Sequence, residues 1–264
     1  MLRERVFSAA ILAPLVGITA WWGGWWFAGI VALFALLAAW ELFTLLGREE
    51  TMQPPAWLGA ALAAGLVLEA GLPADGLRFQ ALLALAILAG LGIMLFRAPP
   101  RAPSDWLLTL GGALYVGFTL RFLVLLRQGE DGLGWVTLAA LTTWIADSGA
   151  YFIGKGIGRR KLWPRISPKK TWEGLIGGLI AGALAATLLG PLLAPGLNWR
   201  QGLALGVIVS LAAPLGDLSE SLFKRQVGAK DSSHLIPGHG GFFDRIDSFI
   251  FVSPVVFLLA WWWG

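Results

Sequence analysis

The sequence predicts an all-α integral membrane protein, a polytopic bundle of about nine transmembrane helices with its N-terminus in the cytoplasm. Three observations carry that expectation. Of 264 residues, 57% are hydrophobic and only 14% charged, against roughly 25% charged in an average soluble domain, and mean hydropathy is +0.71. At about 20 apolar residues per crossing, little chain remains for a soluble domain. Fifteen Trp against two Tyr favours rings anchored at headgroup level, where an apolar indole with one N–H is best accommodated. Third, the basic residues fall on alternate connections. An ordinary water-soluble enzyme is excluded. With no cysteine, so are disulfides, thiolate catalysis, Cys-ligated zinc and iron–sulfur clusters. Two histidines, His234 and His239, are too few for a His-rich metal cage.

The apolar runs lie at about 6–22, 25–46, 56–70, 78–96, 106–126, 132–153, 172–193, 200–223 and 247–263. The first follows Arg3 and Arg5 as a signal peptide would. It lacks a convincing small-residue cleavage site and passes through Gly23-Gly24 into the next run, so it reads as a retained helix. Breaks at Pro54-Pro55, Pro73, Pro99-Pro100-Arg101-Ala102-Pro103 and Pro195-Gly196 are loop signals. No repeat of fixed period appears. Residues 1–130, about five helices, form an N-terminal region; residues 131–264 form a C-terminal transmembrane catalytic region with cytoplasmic loops at 154–171 and 224–246.

Nine spans place one face of the membrane against nearly all the positive charge. Lys155, Arg159, Arg160, Lys161, Arg165, Lys169 and Lys170 share a face with Arg3, Arg5, Arg48, Arg97, Arg101, Lys224, Arg225, Lys230 and Arg245. The opposite face receives Arg78, Arg127 and Arg200, and Arg121 lies inside a helix. That asymmetry is the positive-inside pattern, with the N-terminus in and the C-terminus out. The net charge of +4 is therefore a membrane-topology signal rather than a nucleic-acid footprint.

An acid within a span costs several kcal/mol and marks a functional site by default. Glu41 and Glu69 lie within about one turn of a helix end, where a side chain reaches the headgroups, and Arg121 is expected to snorkel or to bind a lipid phosphate. Asp147 lies seven residues before Gly154, roughly 10 Å inside the cytoplasmic end of its helix, and must face protein, water or a cation. Asp217, Glu220, Ser221 and Lys224 fall at i, i+3, i+4 and i+7, on one face of one helix. Asp244 and Asp247 are again one turn apart at a helix start, where the dipole stabilises carboxylates. The run Gly154-Lys155-Gly156-Ile157-Gly158-Arg159-Arg160-Lys161, followed by Ser167-Pro168-Lys169-Lys170-Thr171, combines glycine backbone, a helix N-terminus and lysines into a polyphosphate site. Thr171 is expected to cap the helix while both lysines face the same ligand.

Asp147, Asp217, Asp231, Asp244 and Asp247, with Lys169, Lys170, Lys224, Lys230 and Arg245 on one membrane face, suit phosphoryl or nucleotidyl transfer supported by a divalent cation such as Mg2+. No activated Ser, Cys or His dyad supports covalent catalysis. A phosphate monoester, with its second pKa near 6, would arrive ionised and need no strong base.

The runs Ser221-Leu222-Phe223-Lys224-Arg225, Lys230-Asp231 and Pro237-Gly238-His239-Gly240-Gly241-Phe242-Phe243-Asp244-Arg245-Ile246-Asp247 resemble the signature of the phosphatidate cytidylyltransferases, also called CDP-diacylglycerol synthases. Gly216-Asp217-Leu218-Ser219-Glu220, Ser167-Pro168-Lys169-Lys170-Thr171-Trp172-Glu173-Gly174 and Asp147-Ser148-Gly149-Ala150-Tyr151 resemble it too. The similarity spans about residues 142–248. The resemblance implies a multi-pass enzyme of a bacterial-type inner membrane, dimeric, its active site facing the cytoplasm. It implies synthesis of CDP-diacylglycerol and pyrophosphate from CTP and phosphatidate with Mg2+, and a monovalent cation such as K+ at a second site. The implied catalytic set is Asp217, Lys224, Asp244 and Asp247. Substrate contacts fall to Ser167, Lys169, Lys170, Arg225, Lys230, His239 and Arg245, and metal contacts to Asp147, Asp217, Asp231, Asp244 and Asp247. Two other readings of the same residues are a CTP-dependent polyprenol kinase and a proton-coupled transporter using Asp147 and Asp217 as a relay. The transporter leaves the acids and lysines of the cytoplasmic loops without a purpose.

Overall fold

The computed structural model describes residues 2–73, 76–96, 102–233 and 240–263, and of residues 2–11 the backbone only. In chain order the elements are α1 (Leu2–Trp22), α2 (Gly24–Leu46), α3 (Ala56–Ala70), α4 (Gly76–Met94), α5 (Ala102–Ala113), a π-helical turn (Leu114–Phe118), α6 (Thr119–Gln128), α7 (Gly132–Ile157), β1 (Lys161–Trp163), β2 (Ser167–Thr171), α8 (Trp172–Leu193), α9 (Trp199–Gln226) and α10 (Phe243–Trp263). Because α5, the π turn and α6 run on without a break, the described residues form nine continuous helical rods. Seven of them are long and apolar enough to cross a membrane. The apolar helices Leu12–Trp22 and Ala56–Ala70 are shorter. At 1.5 Å per residue α3 covers about 22 Å, less than the hydrocarbon thickness of about 30 Å.

Several helices outrun their apolar segments. α7 continues to Ile157, α9 to Gln226, and α10 starts at Phe243 rather than near 247. Hydropathy marks only the part of a helix that suits lipid, whereas backbone hydrogen bonding carries the helix on into polar sequence. The expected loop 154–171 also contains an antiparallel ribbon, with Lys161 opposite Thr171, Trp163 opposite Ser167 and an irregularity between the pairs.

The chain divides into two compact units. Met1–Val124 with Phe223–Ile246 forms one, and Leu125–Leu222 with Asp247–Gly264 forms the other. In the first, Phe43 of α2 is fully buried in a notch left by Gly59 of α3 and Gly112 of α5. The π turn brings Gly117 against the Ala63 backbone, a separation no side chain would permit. Trp106 and Met94 form a small core with Leu58, Ile87 and Leu110, and Asp105 Oδ1 accepts the Gln53 backbone N–H at 2.7 Å, pinning the 47–55 connection. Arg121 donates to Glu69 Oε2 at 2.7 Å, with its guanidinium 4.1 Å from the Phe79 ring centre. The expectation that these two groups reach for headgroups is thus corrected. Each neutralises the other within the bundle, which is the cheaper arrangement for charges in an apolar surround.

In the second unit α7, α8 and α9 approach through small residues. Gly174, Gly178 and Gly182 recur every four residues on α8, facing Ala150, Ala146 and Ser210, while Gly202 and Gly206 of α9 lie against the α8 backbone. This is the small-residue packing of helices that gain little from a hydrophobic effect between them. Ile176, Ile180, Leu184, Leu188 and Leu192 keep the same period on another face of α8 and are all exposed, an apolar stripe suited to lipid.

Candidate active site

α9 and α10 carry the acids. Gly216 lacks the Cβ that would strike the Asp247 and Ser248 backbone, so the two helices close up where their carboxylates begin. Asp217, Glu220 and Asp247 each offer an oxygen, all within 4.8 Å of one another, the one such group among the described residues. Glu220 is only 1% exposed. Ser221 Oγ donates to Asp217 Oδ1 at 3.4 Å, and the Ser248 N–H donates to Asp247 Oδ1 at 2.7 Å. A nearby cation is Lys170, whose Nζ lies 2.7 Å from Asp217 Oδ2 and donates to the Pro214 carbonyl at 3.3 Å. Two unit charges 4.8 Å apart repel by roughly 3 kcal/mol at an effective dielectric of 20. Gathering three carboxylates this closely costs repulsion that a bound cation would relieve. Asp147, exposed on α7, lies in charge–charge range of Lys170, Asp217 and Asp247. Hard oxygen donors in this number fit Mg2+, which takes one or two carboxylates and leaves positions for phosphate oxygens and water.

The glycine-rich run is not a phosphate cradle. Gly154, Lys155 and Gly156 belong to the last turns of α7, where their amides serve the helix. The Gly158 N–H donates to the Gly154 carbonyl, and the Arg159 and Arg160 amides donate to the Glu173 carboxylate. The glycines serve packing, since Gly154, Gly158 and Gly174 surround Thr171 Oγ1. Thr171 caps α8 as expected, accepting the Gly174 N–H at 3.1 Å. Lys169 and Lys170 do not converge, because neighbours on a strand project to opposite sides. Lys170 reaches Asp217, and Lys169 is exposed. Ser167 pairs with Trp163 at the start of β2.

The other unit holds a second acid cluster. Asp244 Oδ1 accepts Lys224 Nζ at 2.7 Å. Its Oδ2 accepts the Ser232 amide at 3.0 Å, the Ser232 hydroxyl at 2.7 Å and the Gly241 amide at 2.9 Å. Glu41, expected near headgroups, is instead 1% exposed and bonded to Ser232, Ser233, Phe242 and Phe243. Arg225 donates to the Ala229 carbonyl at 2.9 Å, closing a turn at Gly228, whose φ of +66° suits glycine. Arg225, Lys230, Asp231 and Arg245 are exposed. His239 and His234 lie outside the described residues.

Of the five acids expected at metal, the structure brings Asp217 and Asp247 together, sets Asp147 in charge range of them, and places Asp231 and Asp244 in the other unit. Glu220 completes the triad; its i+3 spacing from Asp217 was the available signal. Glu41 carried no such signal, because its partners lie some 200 residues away in sequence.

The sequence is similar to known proteins along its whole length. The sequence pattern described as the cytidylyltransferase family fits residues 3–263. A phosphatidate cytidylyltransferase of Pseudomonas aeruginosa is 41% identical over an alignment covering 100% of this chain and 99% of the relative. Its counterparts in Bacillus subtilis and Staphylococcus haemolyticus are 38% and 42% identical, over 56% and 55% of this chain and 55% of each relative. With a family pattern and a full-length relative in agreement, the chain belongs to the cytidylyltransferase family.

Proposed function

We propose that this chain transfers the cytidylyl group of CTP to phosphatidate, forming CDP-diacylglycerol and releasing pyrophosphate. The carrying observation is the convergence of Asp217, Glu220 and Asp247 beside Lys170, in a chain matched along its whole length by a phosphatidate cytidylyltransferase. A phosphatidate oxygen bonds to the α-phosphorus of CTP as the bond from that phosphorus to the bridging oxygen breaks, and the electron pair leaves with pyrophosphate. Asp217, Glu220 and Asp247 would hold Mg2+, which when bound neutralises phosphate charge and orients the phosphoryl oxygens. Lys170, with its side chain 23% exposed beside Asp217, is open to a phosphate oxygen as an alternative partner. Within its own unit Asp244 orients Lys224, an ammonium suited to a phosphate oxygen. Lys230, Arg225, Arg245, Ser167 and His239 supply further substrate contacts in this reading, Lys169 only a weak, solvent-screened one, with Asp147 and Asp231 as outer acids.

The same reading places the enzyme as a homodimer in a bacterial-type inner membrane, with its site facing the cytoplasm. The membrane placement is supported by seven helices of spanning length and composition and by basic residues gathered on alternate connections; the homodimer rests on the family resemblance alone. Phosphatidate resides in the bilayer and CTP in water, so a site at the base-rich face meets both. The test is to incubate the purified protein in detergent with Mg2+, CTP and phosphatidate. CDP-diacylglycerol and pyrophosphate appearing in equal amounts supports the proposal; CDP release, or no turnover, overturns it.

A further inference from the structure

We infer that Glu41, on a helix remote in sequence from the acids and lysines of the reaction, is a positioning residue that fixes the segment carrying Asp244. The inference rests on the proposed cytidylyl transfer and concerns the first unit alone. Glu41 stands near the C-terminal end of α2, within the apolar run Trp40-Glu41-Leu42-Phe43, and its side chain is withdrawn from solvent. One oxygen accepts the Ser233 hydroxyl at 2.6 Å and the Phe242 amide at 3.0 Å. The other accepts the Phe243 amide at 2.9 Å and contacts the Ser232 hydroxyl at 2.9 Å. Phe242 and Phe243 open α10, where the Phe242 carbonyl accepts the first helical amides from Arg245 and Ile246. Their own amides are among the orphan donors of a helix N-terminus, and the dipole there favours an anion. Glu41 thus caps α10 from another helix.

The same carboxylate reaches Asp244 through one atom. Ser232 Oγ lies 2.9 Å from Glu41 Oε2 and 2.7 Å from Asp244 Oδ2. It links the two acids, and its single proton serves one of them at a time while the other keeps its amide donors. Gly241 confirms how tightly the acid is seated, since a Cβ there would collide with Glu41 Oε2 and with Ser232 Oγ. Phe242 packs at a tilt against Phe34 of α2, 5.4 Å between centroids, and Phe243 meets Tyr115 at 6.2 Å and Phe223 at 6.4 Å. Polar and aromatic contacts thus tie both ends of the 232–243 segment to α2 and the π turn. Asp244 then presents Lys224 at a fixed place.

The test uses full-length protein in detergent and measures two quantities together: steady-state kinetics with CTP and phosphatidate, and amide hydrogen exchange of residues 232–233 and 240–246. Glu41→Gln keeps the shape but turns an N–H toward other N–H donors. We expect kcat to fall about 10- to 100-fold, the cost of misplacing catalytic groups by about an ångström. KM for both substrates stays within about threefold, and exchange accelerates in the tethered segment only. Glu41→Asp, which keeps the charge, recovers part of kcat. Gly241→Ala, which retains the acid but displaces it, reproduces the Gln variant and serves if that variant folds poorly. Wild-type kcat in both variants overturns the inference. So does a loss of kcat without faster local exchange, or exchange rising evenly across α2 and α3 while kcat per folded molecule is unchanged. Absence of cytidylyl transfer in the unmutated protein would defeat the functional reading instead, and the exchange result alone would then decide the tether.

Discussion

The two acid clusters contrast in how their charge is met. In the second unit Asp217, Glu220 and Asp247 crowd their oxygens within 4.8 Å with Lys170 as the paired cation. In the first, Asp244 is matched by Lys224 and three further hydrogen bonds, and Glu41 by hydroxyls and amides. Carboxylates crowded this closely repel one another, and a bound cation would relieve them. Carboxylates saturated by donors hold the chain in place. Residue type alone does not separate these roles; the supply of N–H and O–H groups around each acid does.

The largest effect should come from the crowded set. Asp217→Asn and Asp247→Asn each lower pyrophosphate release by at least about 100-fold, on the order of 3 kcal/mol of barrier, with the folded yield unchanged. Removing one of three like charges relieves repulsion, so the melting temperature without metal holds or rises. A variant that keeps more than about a tenth of the rate removes that acid from the principal ligands. The wild-type melting temperature should also climb with Mg2+ in the absence of CTP, as binding to the folded state requires, and the rise should vanish in Asp247→Asn. A rise of equal size in that variant would break the contrast.

Asp244→Asn should behave differently. The Lys224 and Asp244 side chains are 10% and 9% exposed, so uncoupling them leaves a buried ammonium against a neutral amide, at a cost of about 3–5 kcal/mol. We expect loss of activity together with a lower melting temperature, read by thermal unfolding in detergent. An unaltered melting temperature would place Asp244 with the triad in kind.

Lys170→Ala is expected to raise the apparent KM for CTP about tenfold and that for phosphatidate less, since on the proposed function the ammonium it removes pairs with triphosphate charge. The smallest change belongs to Lys169→Ala, within about threefold for either substrate, because a solvated ammonium on the outer side of β2 contributes little when screened. Equal effects from the two lysines would mean that they converge on one ligand after all.

Much of this was legible in the chain. The boundaries 56–70 and 172–193 coincide with α3 and α8, because Pro54-Pro55 and the Thr171 cap stop the helix where apolar sequence also starts. The i, i+3 pairing of Asp217 and Glu220 followed from helical period alone. The β1–β2 ribbon did not, since short polar strands have no hydrophobic alternation to reveal them. Nor did the use of Gly154 and Gly158, whose loop-like composition hides a packing role that exists only once α7 and α8 meet.

Composition, period and capping are properties of neighbours along the chain, and by themselves they determined the helical class, most of the spans and the residues with chemistry to offer. What the tertiary structure decided is which of those charges are satisfied. Arg121 took Glu69 rather than a headgroup, Lys170 took Asp217 while Lys169 took solvent, and Glu41 turned inward to α10. The physical reason is that a buried carboxylate is stabilised by whichever donors the fold delivers within about 3 Å, and those donors come from residues tens to hundreds of positions away, where sequence pattern carries no distance information.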